Sequence, residues 1–265
     1  MHVKLHDRIV QARLLHAWKK DWRSILQHVT AGQMAIIERY ANQESASLPP
    51  ILVLLDECVI AVNMDVLTHI ITTRKFCKND VGMVGLFFKT CNHGHLAMAQ
   101  WLTRQFNLTP QDARIFDNCA LRMSCSFGQL EVAQWLTQHF GLTAEDARTL
   151  NNHALRFSCE NGHLEVAQWL TEHFGLTAED ARSSDNYALC RSCKNGHLHV
   201  AQWLTERFGL TAEDARGRNN FALRLSCANG HLGVAHWLVQ HFGLTAEDAR
   251  AYNNPGLRFS CPNSH

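Results

Sequence analysis

Hydrophobic residues recur along this chain with a fixed interval of 34 residues. In the segment 164–174, LEVAQWLTEHF, the apolar residues follow helical spacing and form a broad stripe. Such a stripe is typical of a helix that is buried on two sides. One tryptophan marks the same position in five successive intervals: Trp101, Trp135, Trp169, Trp203 and Trp237. The pattern therefore predicts an array of one repeated unit, in which each copy buries its apolar face against its neighbours.

Each repeat also carries signals for two helices and a connector. In the repeat 151–184, Asn151 and Asn152 are N-cap residue types ahead of a short first helix, and Gly162 lies where the chain must turn left-handed after it. The longer second helix ends at Gly175. The segment 177–180, TAED, has capping-box spacing with Asp in place of Glu or Gln, which predicts a single helical turn before the next repeat.

These repeats resemble the ankyrin family. The segment 162–166, GHLEV, resembles the family's signature at the start of its second helix, Ala154-Leu155 stands where the family has Pro-Leu, and Ser158-Cys159 occupies its Ala-Ala pair. Tetratricopeptide repeats have the same period, but Leu-Gly and Tyr should then follow the tryptophan at set offsets, and they do not. The sequence of these repeats is similar to that of the expanded ankyrin families of amoebae and large DNA viruses.

The resemblance implies an all-α fold, an ankyrin-type helical repeat solenoid with an N-terminal helical cap. It leaves the connector geometry open, because LTAEDAR replaces the segment that forms a β-hairpin finger in the family. Residues 1–48 match no motif but show helical spacing, so we expect them to cap the array or to form an independent adaptor. The expected repeats are a degenerate one at 51–80 and an array over 81–265, divided into 81–116, 117–150, 151–184, 185–218, 219–252 and a partial 253–265.

Composition narrows the classes of partner. The 265 residues include 25 Lys and Arg against 24 Asp and Glu, a net charge of +1, which does not favour nucleic acid as a partner. The sequence also has no apolar run of 18 residues and no signal-peptide pattern at its start. We therefore expect a cytoplasmic monomer that binds neither nucleic acid nor membrane.

The cysteines follow the repeat interval. Because packed helices lie roughly 8 to 10 Å apart and a disulfide needs Cα atoms within about 7 Å, neighbours in this series should not pair. We expect small, buried, reduced side chains at Cys91, Cys125, Cys159, Cys193, Cys227 and Cys261. Cys190 lies outside the series and replaces an arginine of the other repeats, so an exposed, reactive thiol is the alternative there.

Histidine follows the same interval and raises the question of zinc. One Cys and one His in each repeat, displaced by a whole repeat from the next pair, would not converge tetrahedrally, and Gln129 replaces the His in one repeat. We therefore predict no metal and no cofactor. The ankyrin resemblance instead implies that His95, His163, His197 and His231 tie successive repeats together by hydrogen bonds.

The recurring tetrad Glu-Asp-Ala-Arg places two carboxylates side by side, as in some acid/base catalysts. Its recurrence in every full repeat argues against a unique active site, and the spacing of Glu145 and Arg148 favours a local ion pair. The sequence also lacks a phosphate-binding glycine loop, a nucleophile elbow and a helical metal-ligand motif. We therefore predict that the protein is not an enzyme.

Positions that differ between repeats are the candidates for binding. They lie in the connectors, just inside the first helix and at its far end, and the ankyrin resemblance implies that connector tips and the concave face of the first helices contact targets. Tyr187, Phe221 and Tyr252 are the preferred aromatic anchors, although burial between repeats is the alternative, above all for Phe221. The predicted partner-binding residues are Phe116, Leu150, His153, Glu160, Tyr187, Lys194, Arg218, Phe221 and Tyr252.

The sequence thus predicts a non-catalytic scaffold that binds a partner protein. The alternative is an adaptor whose N-terminal helices engage other machinery, such as a ubiquitin ligase, although no F-box-like Leu-Pro opening is present in residues 1–48.

Overall fold

The computed structural model describes residues 2–44, 49–80, 82–245 and 247–248. Across these ranges it contains fourteen α-helices and no strand, which confirms the all-α prediction. The chain divides into two compact bodies, an N-terminal body over Met1–Leu108 and a C-terminal body over Thr109–His265. The partial repeat expected at 253–265 lies outside the described residues. No helix within the described ranges is both long and apolar enough to cross a membrane.

The N-terminal body contains three pairs of helices. They are α1 (His2–Leu26), α2 (Ala31–Glu44), α3 (Ile51–Ile60), α4 (Met64–Thr73), α5 (Met83–Asn92) and α6 (Leu96–Phe106). The odd-numbered helices contact one another in series, and α2 contacts α4. Asn63 links two of these pairs, because its side-chain amide donates to the carbonyls of Leu26 and Val29 at 2.6 and 2.8 Å while its oxygen caps α4 at Val66.

The C-terminal body repeats one pair of helices four times. The helices are α7 (Pro110–Ser126), α8 (Leu130–Phe140), α9 (Ala144–Glu160), α10 (Leu164–Phe174), α11 (Ala178–Lys194), α12 (Leu198–Phe208), α13 (Ala212–Ala228) and α14 (Leu232–Phe242). The odd-numbered helices, which carry a connector turn followed by the first helix of a repeat, contact one another in series, and each packs against the second helix that follows it.

The buried core of this body comes from both helices of each repeat. In the repeat 151–184, Ala154, Leu155 and Cys159 are buried from the first helix, and Ala167 and Leu170 from the second. The stripe of the second helix predicts burial on two sides, yet its tryptophan is half-buried rather than fully enclosed in the core. Its indole stacks on an exposed histidine one turn later, with ring centroids 5.4 Å apart in the pair formed by Trp169 and His173.

The connectors contain the predicted single helical turn. Thr143 and Asp146 form a reciprocal capping box, in which the Thr143 backbone N–H donates to the Asp146 carboxylate at 2.8 Å. The same box recurs at Thr109, Thr177 and Thr211. This confirms that Asp takes the place of Glu or Gln at N3, the third residue of the helical turn.

Three left-handed residues follow this turn, and they correct the expected role of the paired asparagines. Leu150, Asn151 and Asn152 have φ of 51°, 55° and 58°, whereas an N-cap residue has extended backbone. Asn and Asp are the non-glycine residues that adopt this conformation at least cost, because their short polar side chains bond locally. The second and third positions are accordingly Asp or Asn in all four described connectors.

Histidine and asparagine side chains tie successive repeats together. His163 hydrogen-bonds the backbone at Ser126, and His197 hydrogen-bonds the backbone at Glu160. The Asn195 amide adds a bond to the Glu160 carbonyl at 2.8 Å. Gly162 has φ of +81° and its missing Cβ would lie 2.7 Å from the His197 ring, so glycine is needed there both for the turn and for the contact.

The arginine of the Glu-Asp-Ala-Arg tetrad forms an ion pair with the next repeat. Arg148 donates to both carboxylate oxygens of Asp180 at 2.9 and 3.1 Å, rather than to Glu145 as its spacing suggested. The reason is that the capping box already fixes Asp180 with its carboxylate directed at the neighbouring repeat. Equivalent pairs join Arg114 to Asp146, Arg182 to Asp214 and Arg216 to Asp248.

Candidate binding surface

A predicted site residue, or its counterpart in another repeat, occupies the first left-handed position of each connector. Phe116 is 71% exposed and Leu150 is 48% exposed, although bulky residues rarely adopt positive φ. Ser184 and Arg218 occupy the equivalent position in the next two connectors. The connector tips therefore present a different side chain in each repeat on an unchanged backbone.

The first helices carry most of the remaining predicted residues. His153, Glu160, Tyr187, Lys194 and Phe221 are all half-buried, so they are neither enclosed in the core nor fully solvated. Tyr187 and Phe221 therefore fall between the two predicted alternatives, an exposed binding anchor and a residue buried between repeats. Neighbouring repeats cover part of each ring, and the rest is exposed to solvent. Arg218 is exposed. Tyr252 lies outside the described residues.

Tyr187 is the centre of the arrangement. Its hydroxyl donates to the Glu160 carboxylate at 2.6 Å, and its ring lies 5.6 Å from that of Phe157 in the preceding repeat. Guanidinium groups surround the ring, with their central carbons 4.7, 5.0 and 5.7 Å from its centroid. We call the following residues the Tyr187 cluster: Arg156, Phe157, Glu160, Tyr187, Arg191, Arg218 and Phe221.

The arginines of this cluster are held in different ways. Arg156 donates to the backbone carbonyls of Asn151 and Leu150 at 2.7 and 2.9 Å, so the left-handed turn fixes its guanidinium. Arg191 lies 5.3 Å from the Phe221 ring and 3.9 Å from Glu160, too far for a hydrogen bond to that carboxylate. The cluster is therefore pre-organised by the backbone and by ring contacts.

Burial and charge shift the acid/base behaviour of this surface. Burial, then the positive charges of Arg122 and Arg156, lowers the pKa of His153 to about 4. The neutral imidazole stacks on Phe157 with ring centroids 4.0 Å apart. Burial, then the hydrogen bond to Glu160, raises the pKa of the Tyr187 hydroxyl. Both rings are thus uncharged at neutral pH.

Comparison of the repeats missed three members of the cluster: Arg156, Phe157 and Arg191. Arg156 recurs as Arg122 and Arg224, so its repetition suggested a purely structural role. Arg191 stands where other repeats have Met123, Phe157 and Leu225, and that variation could have identified it. Repetition thus conceals a residue that both holds a connector and faces the variable surface.

The other predicted residues lie on the same helices or their connectors. Phe116 and Leu150 lie at the connector tips of earlier repeats, and Leu150 reaches the cluster through its carbonyl bond with Arg156. The Lys194 carbonyl accepts a bond from the Asn229 amide at 2.8 Å, which places Lys194 at the far end of its helix beside the next repeat.

The thiols show no sign of a reactive site on the described part of this surface. Burial raises the pKa of Cys159 to about 12, and Cys125 and Cys193 are likewise buried and outside any disulfide. Cys190 is buried too, and burial raises its pKa to about 11, so the alternative of an exposed reactive thiol is wrong. Cys261 lies outside the described residues.

A metal site was not expected from the sequence. The residues described by the structure contain no group of three or more His, Cys, Asp or Glu side chains that could hold a metal ion.

The comparisons with known proteins identify the repeats. Residues 86–180 and 159–248 match the family model of ankyrin repeats in three copies, and together these two matches span more than half of the chain. No curated protein matches the chain significantly.

Proposed function

Because the chain belongs to the ankyrin repeat family, whose repeats generally mediate protein–protein interactions, we propose that it is a non-catalytic scaffold that binds a partner protein. The contact surface in this proposal is the concave face of the first helices together with the connector tips. The proposed scaffold acts as a monomer in the cytoplasm.

One observation carries this proposal. Residues that differ between repeats meet at the Tyr187 cluster, where Glu160, Tyr187 and Arg218 come from the successive helices α9, α11 and α13. Interface hot spots are enriched in Tyr and Arg. The half-buried rings also favour binding, because a side chain that is already positioned loses little conformational freedom when a partner covers it.

Photo-crosslinking with the full chain tests the proposal. A photoreactive phenylalanine analogue replaces Lys194 on the first helix, and the matched control carries it at Glu172, an exposed position on the second helix. We expect a protein adduct from position 194 and none from position 172 in a cytoplasmic extract. Equal adducts from both positions, or none from position 194, contradict the proposed surface.

The same reporter separates the adaptor alternative. Lys20 is exposed in α1, within residues 1–48. A single partner captured from position 20 and not from position 194 supports an adaptor role for the N-terminal helices and overturns the proposal made here.

A further inference from the structure

We propose that the Tyr187 cluster binds an acidic peptide segment of the partner protein, one that presents carboxylates beside an aromatic side chain. This inference rests on the proposed function and names the chemistry of its partner. It is carried by the distribution of charge within the C-terminal body.

The near-zero net charge of the chain conceals a segregation of charge. The stretches 116–126, 150–160, 184–194 and 218–228, which form the connector tips and first helices, contain three carboxylates and six cationic side chains. These cations are Arg122, Arg156, Arg191, Lys194, Arg218 and Arg224. The intervening stretches 127–149, 161–183 and 195–217, which carry the second helices and connector turns, contain ten carboxylates and four arginines. The net positive charge of the first set of stretches favours a negatively charged partner.

Within the cluster the positive charge is incompletely neutralised. Three guanidiniums lie within 6 Å of the Tyr187 ring, and Glu160 is the carboxylate that binds the ring's hydroxyl. Asp185 lies 3.8 Å from Arg218 but is itself highly exposed, so water screens that pair. The Nε of Arg191 is buried without a hydrogen-bond partner among the described residues. The excess of guanidiniums and the screening of the pair formed by Arg218 and Asp185 favour the arrival of an additional carboxylate.

The geometry favours a peptide over a nucleic acid. Guanidinium groups bind carboxylates in a planar, bidentate manner, and the exposed part of the Tyr187 and Phe221 rings offers a contact for one aromatic side chain. Glu160 lies 3.9 Å from Arg191 and Asp185 lies 3.8 Å from Arg218, so these carboxylates would repel a continuous phosphate backbone. A peptide can place its own carboxylates at the guanidiniums and a neutral residue opposite these acids.

Fluorescence anisotropy with the full chain tests this inference. The probe is a fluorescein-labelled peptide of sequence Gly-Glu-Glu-Phe-Glu-Glu-Gly, compared with the peptide in which Lys replaces every Glu and with a labelled oligothymidylate. We expect binding of the Glu peptide alone, weakening as salt concentration rises. Stronger binding of the oligothymidylate, or equal binding of the Lys peptide, overturns the proposal.

Two variants locate the contact. Arg191→Gln combined with Arg218→Gln should weaken binding of the Glu peptide by about tenfold or more, since hydrogen bonds to charged groups are among the strongest. The matched control is Arg207→Gln, an exposed arginine of the second helix, which should change affinity less than about twofold. Equal losses in both variants contradict the assignment.

Circular dichroism establishes that each variant is folded, and Arg218→Gln alone, at an exposed position, serves if the double variant unfolds. If the photoreactive residue at position 194 crosslinks a partner while the wild-type chain does not bind the Glu peptide, the proposed function stands and the acidic specificity is wrong.

Discussion

The two helices of each repeat in the C-terminal body use their residues differently. The second helices repeat nearly the same residues, as in Val166-Ala167 and Val200-Ala201, and those residues are buried. The first helices bury their own constant residues, Ala154-Leu155 and Ala188-Leu189, yet change the residue just before them from His153 to Tyr187. A repeat can therefore vary at positions whose side chains are partly exposed to solvent. This contrast predicts which substitutions affect stability and which affect binding.

The largest expected effect is in the constant core. Leu170→Ala removes a fully buried side chain from the second helix and should lower the free energy of unfolding by about 2–5 kcal/mol. The measurement is urea denaturation. Glu172→Ala, at an exposed position of the same helix, should change stability by less than about 0.5 kcal/mol. Similar losses in the two variants would mean that Leu170 is not a core residue of the repeat.

The variable face should respond in binding. Tyr187→Ala should cost about 2 kcal/mol or more in affinity for the captured partner, which is the range of aromatic hot spots. Tyr187→Phe keeps the ring and removes only the bond to Glu160, so it should retain most of the affinity. Affinity and thermal stability are measured on the same variants. If Tyr187→Ala destabilises the chain as much as Leu170→Ala does, Tyr187 belongs to the core.

The links between repeats should give an intermediate effect on stability. Asp180→Ala removes both a capping box and the bonds from Arg148, and should lower the free energy of unfolding by about 1–2 kcal/mol. The control is Glu179→Ala, which removes the exposed neighbouring carboxylate and should have little effect. Urea denaturation compares the two variants, and equal losses would show that the link between repeats contributes nothing beyond local charge.

The same carboxylate should make stability depend on pH. Burial opposes ionisation of Asp180, but the bonds from Arg148 and Thr177 outweigh it and hold the pKa below its ordinary value. Its stabilisation is therefore fully present above about pH 4, the ordinary pKa of Asp, and is lost as the pH falls through the lower pKa of the folded state. Asp180→Asn should flatten that acid limb of the stability curve, and an unchanged limb would assign the acid sensitivity to other groups.

The smallest expected effect is the extent to which a thiol reagent labels the cysteines of the folded chain. Cys159 is buried and burial raises its pKa to about 12, whereas Cys77 is exposed. Because the thiolate is the reactive form, native labelling should modify Cys77 and leave Cys159 untouched until denaturant is added. Mass spectrometry of the labelled peptides distinguishes the two. Rapid native labelling of Cys159 would show that the repeat opens readily.

Sequence periodicity predicted the helices, the capping boxes and the glycine turns, because each depends on residues that lie close together in the chain. It did not predict the partner of Arg148, since Glu145 and Asp180 are both acidic and only the stacking of repeats brings Asp180 within reach. The half-burial of Trp169 was missed for a related reason. Helical spacing gives the face on which a side chain lies but not how far the neighbouring repeat covers it.

The candidate surface was predicted less completely than the fold. Variation between repeats identified Tyr187 and Glu160, which do form a hydrogen bond. It passed over Arg156, because the residue recurs as a support for the left-handed turn and its second contact, with the Tyr187 ring, depends on the following repeat. A residue with two roles therefore needs the three-dimensional arrangement to be recognised.

The left-handed connector also separates what the array displays from how it is built. Phe116, Leu150, Ser184 and Arg218 differ in size, charge and polarity, yet their φ angles are 54°, 51°, 54° and 54°. The joint is specified by the Asp or Asn residues that follow, so the displayed side chain is free to be exchanged. Under the proposed function, an array of this kind can acquire new specificities by single substitutions at its joints, and its existing repeats can be recombined as interchangeable modules with little change in the path of the backbone.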